Sequence, residues 1–512
     1  MGFLPELSIQ TWTLIVFLVT LITVYGYAPY GFFKKLGIPG PRPLPFIGTF
    51  LEYRKCACND TPYYTTFAPR CCLHNICNGI PRIYDGRVPI LVTMDTAMIK
   101  SILVKECYSN FTNRRDFGLN GALRDAITVV EDEEWKRIRS ILSPSFTSGR
   151  LKEVEKHIAH SGNLIKSLHK KAEAGEVVDV KDIFGPYSMD VVASTAFSVD
   201  IDSINNPSDP FVANIRKLVK FTFLTPLFLL LVLFPFLEPM LDKMNVTLFP
   251  AELLDFFYSF LKTIKSDRSK NEHKNRVDIM QLMVDSQMSE TTKEDPSAHK
   301  GLSDSEILSQ AMIFIFAGYE TSSGTLGFLA YNLATNPDIQ KTLQEEIDET
   351  FPNKARPTYD ALMQMEYLDM VLNESMRLYP SGNRLDRVSK SSVEIEGVTI
   401  PKGTVVMIPV YTLHREPTLW PEPDDFKPER FSKENKDSID PYSYLPFGAG
   451  PRNCIGMRFA LLMMKLSVVE ILQNFSFVTC KETQIPLELS TDGFTTPKDS
   501  INLKLEPRGA HC

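Results

Sequence analysis

This sequence of 512 residues has no excess of basic charge, no internal repeat and no long low-complexity tract. The formal net charge is −7, so the chain lacks the overall basic field that attracts phosphate backbones. Hydrophobic residues make up 44% of the chain and charged residues 23%, which is typical of a folded protein. Nucleic acid is therefore not an expected partner, and disorder is not the expected state.

Charged side chains are missing altogether from residues 7 to 33. Within that stretch the apolar run Trp12 to Ala28 is long enough to span a bilayer as a helix. Glu6 precedes the run and Lys34 and Lys35 follow it, unlike the basic start of a cleaved signal peptide. A buried core helix is the weaker alternative, because the run is apolar on all sides. By the positive-inside rule, the lysines place the rest of the chain in the cytoplasm.

The stretch from Pro39 to Pro45 contains four prolines and cannot continue a helix. It divides the chain into a membrane anchor at 1–33, a proline-rich hinge at 34–50 and one large domain at 51–512. The nine cysteines are expected to stay reduced, because that domain is predicted to be cytoplasmic.

Helical periodicity dominates after residue 132, and strand patterns are few. Residues 80–104 alternate and break at Gly86, which predicts two short strands, and residues 393–409 form a second β-like patch. Ser303 and Glu306 form a capping box, so a helix of about 30 residues is predicted from there to Pro337. The expected fold class is mainly α with minor β.

A second apolar run at 221–236 is interrupted by Pro226 and Pro235 and is short for a bilayer span. One interpretation is a segment that dips into a membrane or covers a pocket. The other is a broken core helix, and the pattern supports both equally.

The strongest chemical signal is the segment Phe447-Gly-Ala-Gly-Pro-Arg-Asn-Cys454-Ile-Gly456. Its glycines let the backbone approach a flat ligand, and Arg452 offers a fork for a carboxylate. The helix that follows directs its N–H groups and its dipole at the sulfur, which favours a bound thiolate. This segment resembles the haem-binding loop of the cytochrome P450 superfamily, so Cys454 is expected to be the axial ligand of the haem iron and Phe447 to flank the cofactor.

Other motifs of that superfamily occur in the expected order. Glu374 and Arg377 lie three residues apart on one helical face, and with Arg430 they resemble the buried structural Glu-Arg-Arg network. Trp135 and Arg139 resemble the WxxxR helix whose side chains bind a haem propionate. The resemblance implies three further propionate partners, Arg114, Arg387 and Arg452.

The middle of the predicted long helix reads Ala317-Gly-Tyr-Glu-Thr321 and matches the superfamily's oxygen-activating pattern. Gly318 is expected to remove side-chain bulk beside the iron. Thr321 can bend the helix and hold water, and Thr321 with Glu320 could deliver the two protons that O–O cleavage requires. The resemblance therefore implies that Thr321 and Glu320 are the catalytic residues.

Longer matches indicate the vertebrate microsomal branch, family 3 subfamily A, of drug and steroid oxidases. They include Phe111–Arg115, Val130–Lys136, Leu142–Arg150 and Leu445–Leu462. The resemblance implies a cytochrome P450 fold with haem b, O2 as co-substrate, and electrons from NADPH through the flavins of cytochrome P450 reductase, with cytochrome b5 as a further partner. It also implies a single-pass location in the endoplasmic reticulum membrane and hydroxylation or dealkylation of lipophilic xenobiotics and steroids.

The resemblance also suggests which residues form the substrate pocket: Phe117, Thr128, Phe316, Ala317, Ser381 and Gly382. The segment Ser381-Gly-Asn383 departs from the apolar residues usual in the family, so the pocket is expected to be more polar there. Lys136, Arg137 and Lys427 flank the haem-side motifs and could meet an acidic partner, although exposed lysines are usually only solvated.

Residues 56–82 depart most from the family, and they contain five of the nine cysteines. A zinc site of Cys56, Cys58, Cys71, Cys72, His74 and Cys77 is one interpretation, but the spacing fits no familiar tetrahedral site. We favour a splice irregularity or a divergent loop that folds poorly. Two other functions stay open: a haem-thiolate isomerase, which Thr321 argues against, and a haem-binding scaffold without turnover.

Overall fold

The computed structural model describes residues 8–49, 82–147, 149, 161–206, 209–219, 225–269, 278–287, 301–490 and 494–509. These residues form a mostly helical structure with short strands, which confirms the predicted class. The cysteine-rich stretch, with its candidate zinc ligands, lies outside the described residues.

The helices of the described residues range from 4 to 32 residues in length. Their bounds are α1 Ile9–Tyr27, α2 Phe32–Lys35, α3 Thr96–Lys100, α4 Asp132–Leu142, α5 Ser161–Glu173, α6 Val180–Phe197, α7 Pro210–Val219, α8 Pro226–Leu233, α9 Glu238–Lys243, α10 Ala251–Ser269, α11 Ile279–Asp285, α12 Asp304–Thr335, α13 Pro337–Thr350, α14 Tyr359–Leu362, α15 Glu366–Leu378, α16 Val410–Leu413 and α17 Met457–Asn474.

The strands form three small sheets among the described residues. Their bounds are β1 Arg82–Asp85, β2 Val88–Val92, β3 Val178–Asp179, β4 Leu385–Val388, β5 Val393–Ile395, β6 Val398–Ile400, β7 Val405–Ile408, β8 Phe475–Thr479 and β9 Asn502–Pro507. The largest sheet has the order β1-β2-β7-β4, in which only β2 and β7 are parallel. Both predicted strand regions are therefore confirmed.

The long helix α12 is the central element of the fold. Its 32 residues correspond to about 48 Å. The predicted capping box is present, because the Ser303 side chain accepts from the Glu306 N–H and the Glu306 carboxylate accepts from the Ser303 N–H. The helix packs along α6, and its first half belongs to one large apolar cluster while its second half belongs to another, so it runs through both parts of the core.

The N-terminal segment Ile9–Lys35 is long and apolar enough to cross a bilayer, as predicted. Its end is fastened to the first sheet by Tyr30, which is buried. The Tyr30 hydroxyl donates to Leu44 O at 2.7 Å and accepts from Gly48 N–H at 3.2 Å. Its ring packs edge-on against Tyr84 of β1, with centroids 4.9 Å apart. Leu44 and Gly48 of the proline-rich segment are thus held against Tyr30 and the first sheet.

The second apolar run contains α8, which has one buried and one exposed side. Leu231 is buried, whereas Leu229 is 45% exposed and Phe236, just beyond the helix, is 64% exposed. The Phe234 ring stacks on Tyr25 near the end of α1. The exposed apolar surface of this segment therefore lies beside the end of the anchor, which favours the membrane-dipping interpretation.

Candidate active site

A cavity of about 310 Å³ lies between α12 and the loop that precedes α17. The α12 wall consists of Ile313, Phe314, Ala317, Thr321, Ser322 and Thr325, and the loop wall of Leu445–Gly448 and Arg452–Ile455. Apart from three arginines, Asn453 and five hydroxyl side chains, the lining is mainly apolar. Both strongest sequence motifs therefore meet across one cavity.

The loop before α17 is held in shape by its glycines and one backbone bond. The Cys454 N–H donates to Phe447 O at 2.9 Å, and Gly448 and Gly450 have φ values of +70° and +72°. A Cβ atom at Gly450 would lie only 1.9 Å from the Leu103 carbonyl oxygen. The loop is thus pressed against the helical segment Ser101–Lys105 and presents Cys454 to the cavity.

The Cys454 thiol is subject to opposing influences. Burial raises its pKa, while the N–H groups of Gly456 and Met457 and the positive charges of Arg114 and Arg139 lower it. The N–H groups at the start of α17 favour the thiolate, as predicted, but the opposing effect of burial on the pKa is larger. A thiolate at this position therefore needs a further positive partner, which a bound metal ion supplies.

Three arginines line the cavity beside Cys454. Arg139 donates from Nη1 and Nη2 to the backbone and side-chain oxygens of Asn453, both at 2.8 Å. Arg452 donates from Nη2 to Val130 O at 2.7 Å, and Arg114 Nη2 donates to Arg452 O at 3.3 Å. These bonds orient the guanidinium groups but do not neutralise their charge.

Arg387 and Trp135 complete this arginine cluster. The guanidinium of Arg452 lies 5.0 Å from the Trp135 ring, and Trp135 lines the cavity. Arg387 is buried on β4 and does not line the cavity. Its Nη1 donates to Asp386 O at 2.8 Å. Burial and the charge of Arg114 lower the pKa of Arg387 to about 10. Burial and neighbouring arginines lower the pKa of Arg452 to about 9.

The positive charge of the cluster is not neutralised by ion pairs among the described residues, although Asp386 and Glu131 lie near enough to affect the arginines. Within the described part of the chain, Arg114, Arg139, Arg387 and Arg452 make no ion pair with a carboxylate, and the Nε atoms of Arg387 and Arg452 have no hydrogen-bond partner. All four stay charged at neutral pH, and buried charges need partners. A ligand with carboxylates, such as the two propionates of haem, fits this observation.

The predicted Glu-Arg-Arg network is present and buried. Glu374 accepts two bonds from Arg377, at 2.7 and 2.8 Å, one from Arg430 Nε at 3.2 Å, and one from the Lys427 N–H at 2.9 Å. Glu374 and Arg377 are fully buried, so one carboxylate satisfies two cations. The remaining guanidinium N–H groups of Arg377 donate to backbone carbonyls, including His414 O.

His414, to which no sequence motif points, connects this network to the cysteine loop. Its Nε2 accepts from the Leu445 N–H at 2.8 Å, so Nδ1 carries the proton and donates to Arg377 O at 3.2 Å. Burial, and then the charge of Arg377, lower the pKa of His414 to about 3. The imidazole is therefore neutral, and it holds the start of the loop at a fixed distance from α15.

The two residues predicted to be catalytic point in different directions. Thr321 lines the cavity, and its hydroxyl donates to Ala317 O at 2.7 Å. Glu320 is not among the described residues of the cavity lining, and its Oε1 lies 2.5 Å from Lys181 Nζ on α6. Its Oε2 is buried with no hydrogen-bond partner. The motif thus places one group at the cavity and the other toward the cation of a neighbouring helix.

The structure corrects the reason given for Gly318. A Cβ atom there would lie 2.6 Å from Cγ2 of Val192 on α6, and Gly318 is absent from the described cavity lining. Its carbonyl accepts from the Ser188 hydroxyl, also on α6, at 2.8 Å. This glycine allows close packing of α12 on α6, and the prediction that it clears space beside the metal is wrong.

The predicted pocket residues divide into two groups. Thr128, Ala317, Ser381 and Gly382 line the cavity. Phe117 instead packs on Phe228 of α8, with ring centroids 5.2 Å apart, and Phe316 packs on Phe257 of α10 at 5.5 Å. Among the lining residues that the prediction missed is Thr325, whose position one helical turn after Thr321 could have indicated it.

Comparison with known proteins extends the similarity to nearly the whole chain. A family model described as Cytochrome P450 matches residues 38–505. Cytochrome P450 3A27 of Oncorhynchus mykiss is 60% identical over 510 residues, which cover 99% of this chain and 96% of that protein. Cytochrome P450 3A40 of Oryzias latipes is 60% identical over 513 residues, covering 100% and 99%. Cytochrome P450 3A29 of Sus scrofa is 57% identical over 509 residues, covering 99% of each.

Proposed function

This chain belongs to the cytochrome P450 family, and on that premise we propose that it is a membrane-bound oxidase of lipophilic xenobiotics and steroids. That it is a monooxygenase of the family 3A type follows from full-length similarity to family 3A proteins. The proposal concerns its substrates, its electron source and its membrane. The observation that carries it is that the Cys454 and Thr321 side chains line the same largely apolar cavity.

Haem b fits the residues around this cavity. Cys454 would hold the iron through its thiolate, with Phe447 beside it, and Arg114, Trp135, Arg139, Arg387 and Arg452 would hold the propionates. The uncompensated guanidinium cluster supports this assignment, because charge-assisted bonds to carboxylates would satisfy it. Bound in this way, haem supplies the activation of O2 and the transfer of one oxygen atom to the substrate.

Thr321 is proposed to hold the proton that the reaction consumes. Its hydroxyl donates to Ala317 O, so its oxygen lone pairs are free to accept from water in the cavity. Glu320 would resupply protons from the side of Lys181, with which it is paired. Replacing Thr321 by Val keeps the shape but removes the proton carrier, so product formed per NADPH consumed should fall several-fold.

Residues 1–33 are proposed to anchor the protein in the endoplasmic reticulum membrane, with 34–50 as the hinge and 51–512 as the cytoplasmic catalytic domain. NADPH–cytochrome P450 reductase would donate the electrons, and cytochrome b5 is a second proposed donor. Lys136 and Lys427 are weak candidates for the docking surface, because each already contacts carboxylates of this chain.

One assay distinguishes this proposal from the alternatives. Purified full-length protein with reductase, O2 and a lipophilic substrate should consume NADPH and form an oxygenated product. A haem-thiolate isomerase would convert a peroxide substrate without NADPH, and a haem-binding scaffold would do neither. A thiolate-type Soret band of the reduced carbon monoxide complex, together with no NADPH-dependent product from any lipophilic substrate tested, would reject the proposed function.

A further inference from the structure

Two hydroxyl groups meet in the wall of the cavity, on segments that are far apart in sequence. Thr325 on α12 is 6% exposed, and half-buried Ser381 lies just after α15. Their Oγ atoms are 3.0 Å apart, and both residues line the cavity. They form a polar patch in a lining that is otherwise mainly apolar, with Ile313, Met376, Leu385 and Phe494 among its members.

The hydrogen bonds of this pair allow the Ser381 hydroxyl to rotate. Thr325 Oγ1 donates to Thr321 O at 2.8 Å, the ordinary back-bond of a helical threonine. The Ser381 hydroxyl has two acceptors within reach, Thr325 Oγ1 at 3.0 Å and the same Thr321 O at 3.3 Å. When Ser381 turns its O–H toward the cavity, Thr321 O still keeps the bond from Thr325. The pair can therefore offer a donor to a ligand without leaving a buried carbonyl unpaired.

The backbone around Ser381 is fixed, which keeps this donor in place. Ser381 O accepts from the Thr495 N–H at 3.1 Å, and Gly382 forms a β-bridge with Phe494. A Cβ atom at Gly382 would meet nothing within 4 Å, so the space next to Ser381 is open. A fixed donor in an apolar, partly enclosed site contributes to orientation as well as to affinity.

We propose that Thr325 and Ser381 form a hydroxyl subsite that binds the ketone oxygen of a lipophilic substrate and thereby selects oxygenated over purely hydrocarbon substrates. The inference deepens the proposed function and rests on it. The ketone accepts from Ser381, whose position is held by the bond to Thr325 when no substrate is present. Because the lining around the pair is mainly apolar, an unmade bond there costs more than it would on the surface.

The test compares two probes that differ by one ketone, 5α-androstan-3-one and 5α-androstane. Equilibrium dialysis of both against full-length haem-loaded protein in phospholipid nanodiscs, corrected with empty nanodiscs, gives the ratio of their dissociation constants. Ser381→Ala and Thr325→Val should each weaken ketone binding about tenfold and leave hydrocarbon binding unchanged or slightly tighter. Thr325→Ser keeps the hydroxyl and should retain the preference.

Thr335→Val is the matched control for Thr325→Val. Thr335 lies on the same helix and makes the same back-bond at the same distance, 2.8 Å to Tyr331 O, but it is not among the described residues that line the cavity. Equal losses for ketone and hydrocarbon, or a ketone loss in Thr335→Val as large as in Thr325→Val, would overturn the subsite. The carbon monoxide spectrum separates the two hypotheses. A wild type without the thiolate-type band rejects the proposed function. If the band is intact but Ser381→Ala and Thr325→Val leave the ratio of the ketone and hydrocarbon dissociation constants unchanged, only the subsite is rejected.

Discussion

His414 accepts a hydrogen bond from the backbone N–H of Leu445 at 2.8 Å, and through it the cysteine loop is tied to the Glu-Arg network. The same imidazole donates to the carbonyl of Arg377, whose side chain is bound by Glu374. A protonated imidazole could not accept from Leu445. The link between the two structural motifs therefore depends on a neutral histidine.

This dependence predicts acid sensitivity. The folded pKa of His414 is lowered to about 3, below the unfolded value of about 6.5. The stabilisation is therefore complete above about pH 6.5 and is lost as pH falls toward 3, at about 1.4 kcal/mol per pH unit. His414→Gln should make the midpoint of urea unfolding depend less on pH between about pH 6.5 and pH 5. His169→Gln, at a histidine packed on Phe475, is the control, and equal slopes in His414→Gln and wild type would contradict the prediction.

The unmatched arginine cluster predicts that the ligand must bring negative charge. Haem dimethyl ester, which lacks the propionate charges, should bind to the haem-free protein about a hundredfold more weakly than haem b, since unpaired buried charges cost about 3 kcal/mol or more. In Arg452→Gln the difference in affinity between haem b and its dimethyl ester should become smaller. Arg458→Gln, at an exposed arginine, should leave it unchanged. Equal affinities of the wild type for the two ligands would argue against propionate binding by this cluster.

Glu374 is the single carboxylate between two cations, so its neutralisation should be severe. Glu374→Gln leaves the charges of Arg377 and Arg430 uncompensated and should destabilise the protein by about 3–5 kcal/mol. Glu366 lies on the same helix as Glu374 and makes an exposed ion pair with Lys433, so Glu366→Gln should cost less than about 1 kcal/mol. Urea unfolding of both variants measures the difference, and similar midpoints would show that the network is not structural.

The assignment of Cys454 as the metal ligand predicts a specific spectroscopic loss. Cys454→Ser should abolish the thiolate-type Soret band of the reduced carbon monoxide complex, because a hydroxyl is not ionised at neutral pH and binds iron poorly. Cys480→Ser is the matched control at a partly buried cysteine that bonds Thr483. If the band survived in Cys454→Ser, another residue would have to be the ligand.

The exposed apolar residues after α8 predict contact with lipid. In a Trp12→Phe background, brominated phospholipids should quench the fluorescence of Phe236→Trp, because this position is 64% exposed beside the end of the anchor. Tyr108→Trp, at a residue 51% exposed and packed beside α4, should not be quenched. Equal quenching at both positions, or none at Phe236→Trp, would leave the segment as part of the protein surface only.

The sequence predicted what is encoded locally. The capping box of α12, the strand pairs around Gly86 and Gly397, and the cysteine loop each depend on residues within about ten positions of one another, where backbone preferences and spacing decide the outcome. The Glu-Arg pair is also local, because residues three apart share a helical face.

Contacts between distant segments were less predictable from the sequence. Spacing along α12 could not tell that Gly318 faces α6, because the helix is apolar on most sides and its orientation is set by packing. Glu320 meets Lys181 from a position 139 residues away, and Thr325 meets Ser381 across 56 residues. The sequence showed that Ser381 was unusual, but only the fold supplied its partner.

The two glycines of the cysteine loop would meet different obstacles if a side chain replaced them. At Gly448 a Cβ atom would meet no protein atom nearer than 3.8 Å. Gly448 nevertheless has a positive φ and lines the cavity, so a side chain there would strain the turn and fill space proposed for haem. At Gly450 the Leu103 carbonyl occupies the space of a Cβ atom, and any side chain would push the loop away from residues 101–105. The two glycines of one turn are therefore needed for different reasons: Gly448 leaves the cavity open, and Gly450 lets the loop close on residues 101–105.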